Sequence, residues 1–217
     1  MPAPLPDLQR ANEAAPEFCR IPAGYIHPAR FHGCVPDLPV PLAERLLAVP
    51  RLRRKLSEII VSHYGLIECG ACDPSADRAP SAWPAERLLR LAHRAGGVWH
   101  ALSLRSLIRS RSLAQLLAAF DEDLRAVAIR HIDLAPADAP RLDAADLMEA
   151  VRRDGMHCLN VWVAELPPCS RDRIILKFAP DSVIGGPSSA AYHERGILIV
   201  NRLLTESVAA PAGGERQ

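Results

Sequence analysis

Cys69 and Cys72 are separated by two residues, a spacing that serves either a redox dithiol or half of a zinc site. A redox pair opens a helix in a thioredoxin-like setting that lowers the thiolate pKa. Here acidic Glu68 and Asp73 flank the pair and work the other way. Zinc needs two further ligands, for which His63, Cys34 and His32 are the sequence candidates. The resulting His-x5-Cys-x2-Cys with a distant Cys34 is irregular, and no second CxxC supports it. Incidental loop cysteines are the preferred reading, with Cys69, Cys72 and His63 kept as the metal alternative. Eight histidines are scattered over the chain. His93 and His100 lie seven residues apart, about 10 Å along a helix, too far to share one ion. His63 and His131 align with apolar faces, where hydrogen-bonded core histidines are expected. The sequence contains no GxSxG, HExxH, P-loop or strand–helix GxGxxG motif. The expectation is therefore a non-enzymatic protein without a cofactor.

The elements that carry these residues centre on Trp83 to Asp133, which reads as two consecutive helices. Leu88, Leu91, Ala95, Val98 and Leu102 recur at three- and four-residue steps, the spacing of one buried face. Arg87, Arg90, Arg94 and Arg105 share the opposite arc and form a candidate rim for protein binding. Ser112 with Gln115 has the form of a capping box for the second helix. Leu113, Leu116, Leu117, Phe120, Leu124, Val127 and His131 mark its face, with Asp121 to Asp123 on the solvated side.

Around this core, residues 1–17 and 206–217 read as disordered tails and residues 18–205 as one domain. Phe18 to His32 reads as an apolar-aromatic loop that packs onto helices. Helices are expected from Pro41 to Leu47 and, after Pro50, from Arg51 to Tyr64, with Gly65 as a left-handed cap. The latter buries Leu52, Leu56, Ile59, Ile60 and His63 or Tyr64. Arg51, Arg53, Arg54 and Lys55 cluster early in it and read as a solvated face, in preference to a nucleic-acid contact. A turn-rich linker follows from Glu68 to Pro84. Asp143 caps a third long helix that Gly155 weakens and could divide, and Pro167-Pro168 ends it. Alternation in Arg173 to Phe178 predicts a short strand, while Gly196 to Val200 either pairs with it or begins a last helix. The fold class is mainly α, a single helical domain with a short two-stranded β element near the C-terminus.

Two blocks carry a family resemblance. The run Arg94-Ala-Gly96-Gly-Val98-Trp-His100-Ala-Leu102-Ser-Leu104-Arg105-Ser-Leu-Ile108, followed by Leu113 to Leu117, resembles the YscK/SctK family of type III secretion accessory proteins. Pro22-Ala23-Gly24-Tyr25-Ile26-His27 matches that family's N-terminal element, so Tyr25 and His27 join the arginines as candidate protein-binding residues. The resemblance spans about residues 18–180. It implies an adaptor in the cytosolic sorting platform, with the inner-membrane ring component and the C-ring-like pod subunit as partners. The near-zero net charge and the lack of a long apolar run add the expectation of no nucleic-acid partner and no direct membrane insertion. The place the resemblance implies is cytoplasmic, peripheral at the base of the apparatus.

Composition sets the competing readings. A 49% hydrophobic content supports a sizeable core, and a net charge of +1 gives no global pull toward nucleic acid or anionic lipid. No signal-peptide layout opens the chain and no apolar run approaches 18 residues, so a reducing cytoplasm is expected for its six cysteines. Two alternatives from other classes remain. One is a small regulator with a zinc- or redox-sensitive Cys69/Cys72 loop. The other is a basic-helix nucleic-acid binder using Arg51 to Lys55 and the arginine arc of Arg87, Arg90, Arg94 and Arg105.

Overall fold

The computed structural model describes residues 17–67, 80–107, 120 and 123–209. In chain order the helices are α1 (Glu17–Arg20), α2 (Pro28–Cys34), α3 (Val40–Leu47), α4 (Arg53–Tyr64) and α5 (Ala85–Trp99). They continue as α6 (Ala101–Ser106), α7 (Leu124–Arg130), α8 (Ala144–Ala164), α9 (Pro168–Ile175) and α10 (His193–Ala209). Short 3-10 turns at Pro22–Gly24, Pro50–Leu52, Pro80–Ala82, Ile132–Leu134 and Ala190–Tyr192 join them. The protein is mainly α, and the described residues contain no strand. No helix among them is long and apolar enough to cross a membrane. The chain divides into two compact units, one of residues 1–85 and 166–182, the other of residues 86–165 and 183–217.

In the first unit, Ala23, Ile26, Phe31, Ala43, Leu56, Ile60, Leu66 and Leu176 form a buried cluster. Proline starts several of its elements, because a missing N–H costs nothing in a first helical turn. Gly65 closes α4 at φ 59°, ψ 37°, the left-handed cap expected for it. Phe18 to His32 is not a loop, since α1, a 3-10 turn and most of α2 occupy it. Its apolar residues still pack inward, with Ile26 and Phe31 buried. Along α4, Leu56 and Ile60 are buried, whereas Ile59 and His63 face solvent. The buried face of this helix runs through Leu56, Ser57 and Ile60, with Val61 and Tyr64 packed beside it.

The expected β element is absent from the described residues, for a reason each half shows. Arg173 and Lys177, read as the solvent side of a strand, are 2% and 4% exposed, so alternation there did not separate inside from outside. Pro168 starts α9, which carries residues 173–175 as helix. Gly196 to Val200 lies inside α10, where Gly196, Ile199, Val200 and Leu203 are buried at helical spacing.

In the second unit, α8 is continuous from Ala144 to Ala164, and the Asp143 carboxylate accepts from the Asp146 N–H at 3.1 Å as its cap. Gly155 does not divide it. A Cβ on Gly155 would stand 2.1 Å from the Ala92 carbonyl oxygen, and one on Gly96 would stand 1.9 Å from that of Val151. Helices α5 and α8 therefore cross backbone to backbone through these two glycines. Gly196 brings α10 against Cys158 and Val161 on the next turns of α8. A satellite cluster of Ala101, Leu104, Leu124, Ala128, Leu147 and Val151 joins α6, α7 and α8. The expected second central helix is seen as Leu124–Arg130, and Ser112 to Leu117 lie outside the described residues.

This crossing generates a test. Alanine is ordinarily about 1 kcal/mol better than glycine inside a helix. Gly155→Ala is nevertheless expected to lower stability by roughly 2–3 kcal/mol through backbone overpacking. Gly24→Ala, where a Cβ meets nothing within 4 Å, is the control and should leave it nearly unchanged. Urea unfolding of the two variants decides; equal stabilities would refute the close crossing.

Candidate interaction site

The N-terminal element in the first unit is built from residues 22–27 and held by long-range bonds. The Ala23 N–H donates to Ser57 Oγ at 3.2 Å, and the His27 N–H donates to the Leu176 carbonyl at 2.8 Å. His27 Nδ1 accepts from the Ala29 N–H and so caps α2, while Pro28 opens it. The Tyr25 ring lies 5.1 Å from Lys177 Nζ, a cation–π contact. Tyr25 and His27 are both half-buried, so each combines a structural task with a face open to solvent.

Two buried cations organise the surroundings. Arg173 donates from Nη1 to the Ile67 and Cys169 carbonyls and from Nη2 to that of Cys19. Lys177 Nζ donates to the Ser81 and Trp83 carbonyls at 2.5 and 2.6 Å. Burial pulls the Lys177 ammonium down to about 8.

In the second unit the four arc arginines separate. Arg87 and Arg90 are exposed on α5, and Arg105 is exposed on α6. Arg94 is half-buried with its Nε enclosed, so it belongs to the interior edge of the helix. Between Arg94 and Arg105 a break at His100 (φ −100°, ψ 23°) ends α5 and restarts the chain as α6.

That break sends the His100 ring inward, where it is 1% exposed and Nε2 lies 2.7 Å from Asp154 Oδ2. Arg153 also bonds Asp154, with Nε at 2.7 Å and Nη2 at 3.2 Å. The Tyr192 hydroxyl donates to Asp154 Oδ1 at 3.0 Å. Burial alone would raise the Asp154 carboxyl, but the His100, Arg153 and Tyr192 donors outweigh it and hold it well below the usual range. Burial and the neighbouring carboxylate push the Tyr192 phenol up to about 12. Its ring stacks on His157 at 4.8 Å and 14° and lies 4.7 Å from Trp99. A histidine–carboxylate pair is the core of many acid–base sites. Here the imidazole is enclosed and its Nε2 is spent on Asp154, so Asp154 locks together the α5–α6 break, α8 and the 3-10 turn that precedes α10.

Cys69 and Cys72 lie outside the described residues. His63 is exposed, edge-on to Tyr64, and His32 is bonded to the Leu38 carbonyl. Among the described residues, no three His, Cys, Asp or Glu side chains are placed to share a metal ion. His131 is buried as expected, with Nε2 3.0 Å from Glu206 Oε2. Sequence reasoning missed Asp154, Tyr192, Arg173 and Lys177. Asp154 had a signal: a carboxylate one turn beyond Val151 and one before Cys158, on the buried stripe of α8.

Compared with known proteins, the chain is 27% identical over 172 residues to the nodulation protein NolU of Rhizobium fredii. The aligned region covers 76% of both chains. NolU of Sinorhizobium fredii (strain NBRC 101917 / NGR234) matches to the same extent. The chain is similar to a nodulation protein. No family model and no solved structure matches it.

Two measurements check this geometry. Asp154→Ala leaves buried donors unpaired and is expected to cost about 3–5 kcal/mol. A loss below about 1 kcal/mol in urea unfolding would deny the lock. Lys177 has a folded pKa of about 8, below the roughly 10.4 of an unfolded lysine. Its proton is therefore held more tightly by the unfolded chain, and stability should rise as pH climbs from about 8 toward about 10.4. The Lys177→Met variant should lack that rise; an identical alkaline profile would contradict the assignment.

Proposed function

We propose that this chain is a non-enzymatic adaptor in the sorting platform of a bacterial type III secretion apparatus. In this role it links the cytoplasmic part of the inner-membrane ring to the C-ring-like pod, and through the pod to the export ATPase. It works peripherally, at the cytoplasmic base of the apparatus. The observation that carries the reading is where the resembling residues fall. Gly96 makes the α5–α8 crossing, His100 binds Asp154, and His27 caps α2. The shared motif is thus spent on architecture, as in proteins that share a scaffold and not a reaction. Exposed Arg87, Arg90 and Arg105 remain outward on that scaffold, a charged rim of the kind that borders protein interfaces. Tyr25 and His27 supply a second half-open face in the first unit. Similarity to a protein named for nodulation supports a bacterial role of that kind at a coarser level.

The test is co-expression with the ring component and the pod subunit of the same apparatus. At least one is expected to co-purify with the folded chain; failure of both removes the adaptor reading. Reversing Arg90 and Arg105 to Glu is expected to weaken one of the two interactions about tenfold, the scale of a few lost charge pairs. The melting temperature should hold. Unchanged affinity would discard the arginine rim.

A further inference from the structure

Residues 44–58 concentrate positive charge beyond what their fold uses. Arg45, Arg51, Arg53, Arg54 and Lys55 are all exposed, against two carboxylates, Glu44 and Glu58. The segment sorts itself cleanly: Leu46, Leu47 and Leu52 pack against the core to which Leu56 belongs, and the cations point outward. Four of them precede or occupy the first turn of α4, the end of a helix where positive charge is unfavourable. No acidic residue stands in that turn, and no side chain caps it. Glu58 relieves only Lys55 at 2.8 Å and Arg54 at 3.9 Å, in exposed pairs of little energetic weight. Arg45, Arg51 and Arg53 make no ion pair among the described residues.

Exposed apolar side chains accompany this charge. Ile59, one turn beyond Lys55, is 36% exposed. On α3, which packs against the 3-10 turn at Pro50–Leu52, Val40 and Leu42 are 37% and 40% exposed. A nucleic acid would leave these aliphatic groups idle, and residues 40–63 contain no Trp, Tyr or Phe on which bases would stack. A membrane surface favours a broad apolar face with Trp or Phe, which the same stretch lacks. Carboxylates for the cations and aliphatic side chains for Leu42 and Ile59 come together on an acidic amphipathic segment of a protein.

We infer that the α3–α4 corner, through Arg45, Arg51, Arg53, Arg54, Lys55, Leu42 and Ile59, docks an acidic amphipathic segment of a partner protein. The inference deepens the adaptor reading, on which it rests, by giving the first unit its own docking surface.

The experiment titrates the full chain with a synthetic helix of about 20 residues carrying Glu on one face and Leu on the other. A scrambled peptide of identical composition, vesicles of phosphatidylglycerol and a short DNA duplex run alongside. The ordered peptide should bind more tightly than its scramble. Arg53→Glu with Arg54→Glu and Lys55→Glu should weaken it at least about tenfold. The triple Gln variant, safer for folding, should give a smaller loss in the same direction, and circular dichroism melts verify both variants. Equal binding of peptide and scramble, or no effect of reversal in a folded variant, overturns the inference. So does tighter binding to vesicles or duplex than to the ordered peptide. Because the probe is synthetic, this result is separate from whether the ring or pod co-purifies: either claim can fail while the other's measurement succeeds.

Discussion

Two helices touch backbone to backbone only where neither presents a side chain. Gly96 and Gly155 create that place in the second unit. With Ala92 and Val151 as the other participants, the crossing brings α5 within reach of the middle of α8. It is also what makes the His100–Asp154 bond geometrically available. The imidazole sits one turn beyond Gly96 and the carboxylate one residue before Gly155, so the contact that excludes side chains at one point forces a polar pair together at the next. Gly196 repeats the device on the other partner of α8, allowing α10 to approach Cys158 and to carry Tyr192 at its start to the same carboxylate. Close packing here is a positional constraint first and a source of apolar burial second.

The buried polar groups follow from this economy. Asp154 is enclosed and ionised because three side chains donate to it, and losing any one would expose the desolvation cost that the others now share. The first unit solves the opposite problem, burying two cations on and just beyond α9 with main-chain carbonyls as their hydrogen-bond acceptors. Arg173 Nη1 and Nη2 and Lys177 Nζ donate to main-chain carbonyls of Cys19, Ile67, Cys169, Ser81 and Trp83. Those carbonyls come from segments far apart in sequence. Each cation therefore works as a cross-link between pieces of backbone that otherwise have no ladder to join them.

What the sequence made legible was local. The helical period of Leu88 to Val98, the breaking effect of Pro50, the Gly65 cap and the Asp143 cap each depend on neighbours within one or two turns, and all stand in the structure. Misreadings came where a distant partner decides. Arg173 and Lys177 looked like solvent-facing residues of a strand because nothing nearby announces the carbonyls that bury them. Gly155 looked like a weakness because its neighbour, Ala92, is more than sixty positions away. His100 was read as a structural residue, yet its carboxylate partner was invisible for the same reason. Arg94 and Arg105 fell on one arc of an ideal helix, and the break at His100 took them to different environments.

The chain enters the second unit after Ala85, returns to the first after Glu165 and leaves it again after Ser182. During vectorial synthesis this order has a temporal meaning. The carbonyls of Cys19, Ile67, Ser81 and Trp83 emerge early, but the side chains that satisfy them follow only after residues 86–165 have been made. At roughly 5–20 residues per second, that is an interval of about 4–16 s. Throughout it the first unit is a ring without its clasp, short of Leu176 in its core and of both cations at its seams. The second unit's central crossing can form only as that interval closes, since α8 is complete at Ala164. The fold thus imposes a schedule on itself, in which the segment made first is the one finished late.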